Sequence, residues 1–276
     1  MTPIQKFMMA AFVRVRLGVG IIGLLFPFML WGVGRAYYRI PLAGSMSAYY
    51  HTTINCRDPH SVGTCEIEVT HPDTNHPEAT KIIEPPPGIG PLRNWFVGGL
   101  FIMGACLFLI HGFSIWEKIL LDVAGVLAFM VALNPMPWRI EPATGFPIHY
   151  VSAVSFFIMI ALVALFCSRK TLHYFPHGPH RKRYVTRYKR AYLSLGLLMA
   201  ASPITARVFN DVTGQSSVGF WMEAFGIMAF GTYWILKTFE FHQSEIEKKA
   251  IEGLKVNTHT LTEDPDVPQE GPDSSN

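Results

Sequence analysis

Charge is what this sequence has least of. Asp, Glu, Lys and Arg make up 16% of its 276 residues, against about 25% in an average soluble domain. With half of the chain hydrophobic, that scarcity argues against an ordinary cytosolic enzyme and against a disordered or collagen-like chain. Cysteine is sparse too, and four are too few for a disulfide scaffold. There is no G-x-S-x-G elbow, phosphate-binding P-loop, dinucleotide glycine fingerprint or His-Glu-x-x-His pair, so the common hydrolase, nucleotide and zinc-protease signatures are missing. No internal repeat is visible.

What the chain does have is long apolar runs. A helix that crosses a bilayer needs about 20 mostly apolar residues. Six runs approach that length, at 17–33, 95–110, 119–133, 148–167, 191–206 and 218–236. Pro203 interrupts the fifth, which a spanning helix tolerates when neighbours satisfy the freed carbonyl. Lipid forbids open strands, so the expected fold is all-α: a polytopic membrane protein with six transmembrane helices. The first run follows Lys6, Arg14 and Arg16, as in a signal peptide. It is long for such a segment and no clear small-x-small cleavage site follows, so the reading is an uncleaved first helix.

Loop charge then sets the orientation. The segment before the first run has three basic residues and no acid. Residues 168–190 hold Arg169, Lys170, Arg181, Lys182, Arg183, Arg187, Lys189 and Arg190, again without an acid. Basic loops stay in the cytoplasm, so both termini and the 168–190 loop are expected there, touching anionic lipid headgroups. A bacterial inner membrane fits this pattern. Nucleic-acid binding is not expected, because the net charge of +3 is explained by these topology signals. Residues 1–256 form the transmembrane domain, and 257–276, acidic and without Lys or Arg, read as a disordered tail.

The loop 35–94 is then extracytoplasmic. It carries Cys56 and Cys65 and the run Pro85-Pro86-Pro87, and an oxidising compartment would permit a Cys56–Cys65 disulfide. A metal clip with His60, His71 or His76 is the alternative, although the spacing fits no standard zinc pattern.

Ionisable residues at membrane depth are functional candidates by default. Ser47, His51, Arg93, Asn134, His149, Arg207 and Glu223 gather toward the outer face, and His111, Lys118 and Asp122 toward the inner one. Glu223 lies about 7 Å below the start of its run. It needs a partner there, with Arg93, Arg207 and His149 in reach. Ser47 and His51 would share one face of an α-helix, or sit in a surface loop with Tyr49 and Tyr50 as interface anchors. Lys118 and Asp122 read as an i,i+4 pair. Gly98, Gly99, Gly104 and Gly125 read as helix-packing positions.

Ser45-Met46-Ser47-Ala48-Tyr49-Tyr50-His51, Arg93-Asn94-Trp95-Phe96-Val97-Gly98, Val131-Ala132-Leu133-Asn134-Pro135, His149 and the run from Glu223 to Lys237 together resemble bacterial six-helix integral membrane proteins of the domain-of-unknown-function type. This chain departs from them by its longer first outer loop. A narrower likeness is to the alkaline ceramidase and adiponectin-receptor superfamily. There, zinc is held by a Ser-x-x-x-His pair, an Asp and a His-x-x-x-His. Ser47 and His51 match the first element. Asp122 falls at the opposite membrane face, and the last helix carries no His-x-x-x-His.

Three functions compete. The first is a non-catalytic sensor or accessory protein with an outward-facing polar pocket. It fits the lack of any complete catalytic motif. The second is a metal-dependent membrane-embedded hydrolase acting on a lipid or amide. His51, His149 and Glu223 would hold the metal, zinc being the expected one, and Ser47 and Arg93 would position the substrate. The third is a small transporter, disfavoured because polar residues are sparse at mid-bilayer. Membrane lipids are the expected partners.

Overall fold

The protein is described from a computed structural model, in residues 3–38, 42–51, 66–68, 80–82, 91–134, 147–175, 179, 181–213 and 217–244. It is an all-α membrane protein built on six long helices. We label them α1 (Pro3–Tyr38), α2 (Pro91–Leu109), α3 (Ile115–Leu133), α4 (Ile148–Leu162), α5 (Arg181–Thr213) and α6 (Ser217–Ser244). Each helix packs on its neighbours in sequence, and α6 returns to pack along α1, closing the bundle into a ring. A short antiparallel ribbon, Glu66–Glu68 with Thr80–Ile82, is the one element outside this helical plan among the described residues. Cys56, Cys65, the tail 257–276 and the histidines at 60, 71 and 76 lie outside the described residues.

Among the described residues three helical stretches are long and apolar enough to cross a membrane: Met9–Ala36, Leu92–Leu109 and Ile148–Tyr174. The sequence reading expects six. Of the other three helices, α3 holds Glu117, Lys118 and Asp122 in its first two turns, α5 opens on a run of Arg and Lys, and α6 carries Glu223, Lys237 and Glu240. The helices also outrun the apolar runs at several ends. Lys6, Arg14 and Arg16 are part of α1, and the basic cluster 181–190 forms the first turns of α5, not a loop.

Small residues set the helix spacing. A Cβ at Gly231 of α6 would lie 2.6 Å from the Gly20 carbonyl oxygen of α1, so these two helices touch backbone to backbone. At the α2–α3 contact, a Cβ on either Gly104 or Gly125 would lie 3.0 Å from the other's carbonyl oxygen. Without a hydrophobic force between helices in lipid, such close van der Waals approach supplies much of the association. Gly99 also serves packing, because a Cβ there would overlap the Phe26 ring, but Gly98 has open space where its Cβ would be. The α4 rod continues past Leu162 through a π-helical turn, Val163–Cys167, and a last helical turn, Ser168–Thr171. Ser168 explains that turn: its Oγ donates to the Val163 carbonyl at 3.2 Å, stabilising the widened backbone.

Candidate functional site

The second turn of α6 and the segment that follows α1, residues 45–51, build the site together. Residues Ser47–His51 form a 3-10 helix, not the α-helix or surface loop expected. At about 3.0 residues per turn, positions 47 and 51 are roughly 120° apart and do not share a face. Tyr49 and Tyr50 are buried, not interface anchors. The Tyr49 ring meets Phe220 edge-on at 5.8 Å, and burial pushes its hydroxyl above the ordinary tyrosine pKa.

Packing this short helix against α6 brings its donors onto Glu223. The carboxylate accepts from the Met46 N–H at 2.8 Å, and also from the Ser47 N–H and the Ser45 hydroxyl. Oriented amides of a tight turn make an anion cradle, so among the described residues Glu223 is held by hydrogen bonds from residues 45–47. Arg93 is engaged elsewhere. Its Nη2 donates to the Tyr50 hydroxyl at 2.7 Å, and its guanidinium lies 4.4 Å over the Tyr50 ring. The Arg207 side chain and the His51 side chain lie outside the described residues.

His149, in the first turn of α4, is 6% exposed. Its Nδ1 is 2.6 Å from the Asn134 carbonyl oxygen. A carbonyl only accepts, so Nδ1 carries the hydrogen and Nε2 is left as the acceptor in the neutral ring. Nε2 is buried and has no hydrogen-bond partner among the described residues. His149, Glu223, Ser45 and Ser47 line one cavity of about 130 Å³, whose remaining wall includes Phe26, Phe96, Leu100, Phe157 and Ile227. Of the five residues named for the site from sequence, Ser47, His149 and Glu223 therefore meet at one cavity, and Arg93 is not among its lining residues. His149 and Glu223 are two possible metal ligands. Among the described residues no group of three His, Cys, Asp or Glu is placed to hold a metal ion.

A second polar cluster went unseen in the sequence. It lies on α6 about 21 Å from Glu223, fourteen residues on at 1.5 Å each. Lys237 and Glu240 are both fully buried, with Nζ 3.0 Å from Oε2. Thr171, at the end of the α4 rod, bridges them: it accepts from Lys237 at 2.6 Å and donates to Glu240 at 2.6 Å. The Tyr192 hydroxyl donates to the same carboxylate. Tyr233 and Ser168 share a 2.8 Å hydrogen bond alongside. The Phe241 ring is covered by two cations, Arg16 and Lys237, each 4.7 Å from its centroid. Arg16, read from sequence as a topology charge, is thus buried in the bundle. Lys237 follows the last apolar run directly, and Lys237 with Glu240 looks like a surface i,i+3 pair. Only the contact with α4 and α5 shows otherwise. Glu117 is buried as well: its carboxylate accepts from the Phe113 N–H at 3.0 Å, while Ser114 caps α3 through the Glu117 N–H. The sequence signal was there, since Ser-x-x-Glu before an apolar run is a capping box. Lys118 and Asp122 form the expected half-exposed pair.

No family model, curated protein or solved structure matches this chain.

Proposed function

We propose that the protein is a non-catalytic sensor or accessory protein that takes a small ligand into the Glu223–His149 cavity. In this reading all six helices span a bacterial inner membrane. The termini are cytoplasmic and the cavity faces outward, as the basic charges near α1 and α5 require. The carrying observation is the buried Nε2 of His149, without a partner among the described residues, in a cavity whose polar end is Ser45, Ser47 and Glu223 and whose other walls are mostly apolar. A buried acceptor left without a donor costs about 1–3 kcal/mol, and a ligand hydroxyl or amine placed there would recover it. The size suits one ring or a short chain, since an apolar cavity of about 150 Å³ accepts benzene. Glu223, already held by three donors, shapes the polar end.

Benzyl alcohol is the matching probe. Saturable binding to the purified protein, weakened about fivefold or more in His149→Ala through loss of a hydrogen bond of roughly 1 kcal/mol, is the expected result. Absence of saturable binding, or equal binding by both proteins, would overturn the reading.

The metal-dependent hydrolase is the second reading, favoured by Ser47, His149 and Glu223 sharing the cavity. His51 would have to supply the third ligand, as the likeness to the ceramidase and adiponectin-receptor superfamily implies. Zinc analysis decides it: about one zinc per chain, lost in His149→Ala, would replace the sensor with the enzyme.

A further inference from the structure

The cavity ends at a wall that has a second space behind it. On the lipid-facing side of the seam between α1 and α2 lies a groove of about 430 Å³, lined by Ile21, Leu25, Phe26, Trp95, Gly98 and Ile102 among others. Phe26 lines both spaces. Its ring is 2% exposed, stacks on Phe96 with centroids 6.0 Å apart, and rests where a Cβ on Gly99 would sit. About two turns of α2 thus present Phe96 and Leu100 to the cavity and Trp95, Gly98, Gly99 and Ile102 to the groove. Ile21, Leu25, Trp95 and Ile102 are exposed to the surroundings of the bundle, and no Cβ at Gly98 would meet anything within 4 Å.

The helix beside this wall is built to give. Pro27 follows Phe26 inside α1. It has no N–H to bond the Gly23 carbonyl, so the helix is loosened at that turn. α1 is fastened to α6 through Gly20, Gly23 and Gly231 and packs far less extensively on α2.

We infer that the cavity and the groove are the head and tail halves of one site for a single-chain amphiphile drawn from the bilayer, its alkyl tail passing Phe26 through the α1–α2 seam. This rests on the ligand-pocket reading above. The head must be small, because the cavity is close to benzene size. It must bring a donor, because His149 Nε2 accepts. The tail must be alkyl, because the groove is apolar apart from Asn94 and opens at hydrocarbon depth. A long-chain alcohol or amine meets all three demands. The continuity of the groove with a polar cavity through one shared ring selects an amphiphile over a neighbouring helix as its occupant.

Two photoreactive 1-dodecanol analogues test this with the full-length protein in lipid nanodiscs, one carrying the diazirine beside the hydroxyl and the other at the methyl end. Labelling that excess 1-dodecanol competes away is expected on Leu100, Val131 or Ile227 for the first and on Ile21, Leu25 or Ile102 for the second. Gly98→Trp, which fills the groove, should cut the competable tail label about tenfold and, because one molecule spans both spaces, lower the competable head label with it. Gly98→Leu should act in the same direction and less. His149→Ala should weaken both competable labels together, by about fivefold or more. Competable head labelling with tail labelling spread evenly over the lipid-facing helices would overturn the two-part site and leave the pocket standing. A cross-linked pair of chains through the groove would overturn it equally, since the groove would then be an interface between copies. Absence of competable labelling by either probe would bring down both readings.

Discussion

The two ends of α6 handle buried charge in opposite ways. At the Lys237 end the charges are compensated internally: Glu240 accepts from Lys237, Thr171 and Tyr192, and neither the cavity nor the groove is lined by any of these residues. At the Glu223 end the carboxylate is cradled by residues 45–47, yet the neighbouring histidine keeps an unpartnered nitrogen beside empty space. A saturated network rigidifies and locates helices. An unsaturated acceptor beside a cavity is stability given up at a place where a ligand can restore it. The first arrangement joins α4, α5 and α6 into one body; the second holds a site open between α2, α4 and α6.

Breaking the saturated end should have the largest effect. Glu240→Ala leaves Lys237 buried without its carboxylate and should destabilise by about 3–5 kcal/mol, whereas the double change Lys237→Met with Glu240→Leu should recover most of that loss. Reversible unfolding in mixed micelles measures both, and a double variant as unstable as the single one would refute the pairing. Gly231→Ala comes next. Its Cβ would meet backbone atoms of Gly20 and Leu24 that cannot rotate away, so α1 and α6 must separate at a cost of about 1–3 kcal/mol. Tyr192→Phe removes one donor to a charged acceptor and should cost about 1.5–3 kcal/mol, read as a lowered unfolding midpoint.

At the other end the comparison sharpens. His149→Ala loses its hydrogen bond to Asn134 and the contacts of a buried ring but also removes the unpartnered nitrogen, and should cost about 1 kcal/mol, while ligand binding weakens about fivefold or more. A variant as damaging to folding as Glu240→Ala would make His149 part of the scaffold and erase the contrast. Smallest of all, Asp122→Asn breaks a half-exposed i,i+4 pair and should change stability by about 0.5 kcal/mol or less, fading with added salt.

Much of the helical plan was legible because apolar run length and lipid chemistry leave few choices. Ser47, His149 and Glu223 were legible as candidates because polar groups beside apolar runs stand out. Their partners were not. Arg93, Arg207 and His149 were the expected partners of Glu223; Arg93 turns to Tyr50 instead, and the backbone N–H groups of residues 46 and 47 meet the carboxylate, donors that are invisible in a sequence. Ser47 and His51 were placed on one face by assuming 3.6 residues per turn, where the chain takes the tighter 3-10 turn. Lys237 and Glu240 were passed over because the apolar run stops at Leu236, while α6 continues to Ser244 inside the bundle.

The sequence by itself determined that this chain is a helical membrane protein, where its longest apolar segments lie, and which polar side chains must find partners. Those properties follow from transfer free energy, which is additive along the chain. Only the tertiary structure decided which polar groups pair, which nitrogen stays open, and that Phe26 lines both a polar cavity and an apolar groove beside it. Such facts depend on distances between residues far apart in sequence, set by how closely glycine-bearing helices approach, and no local pattern encodes them.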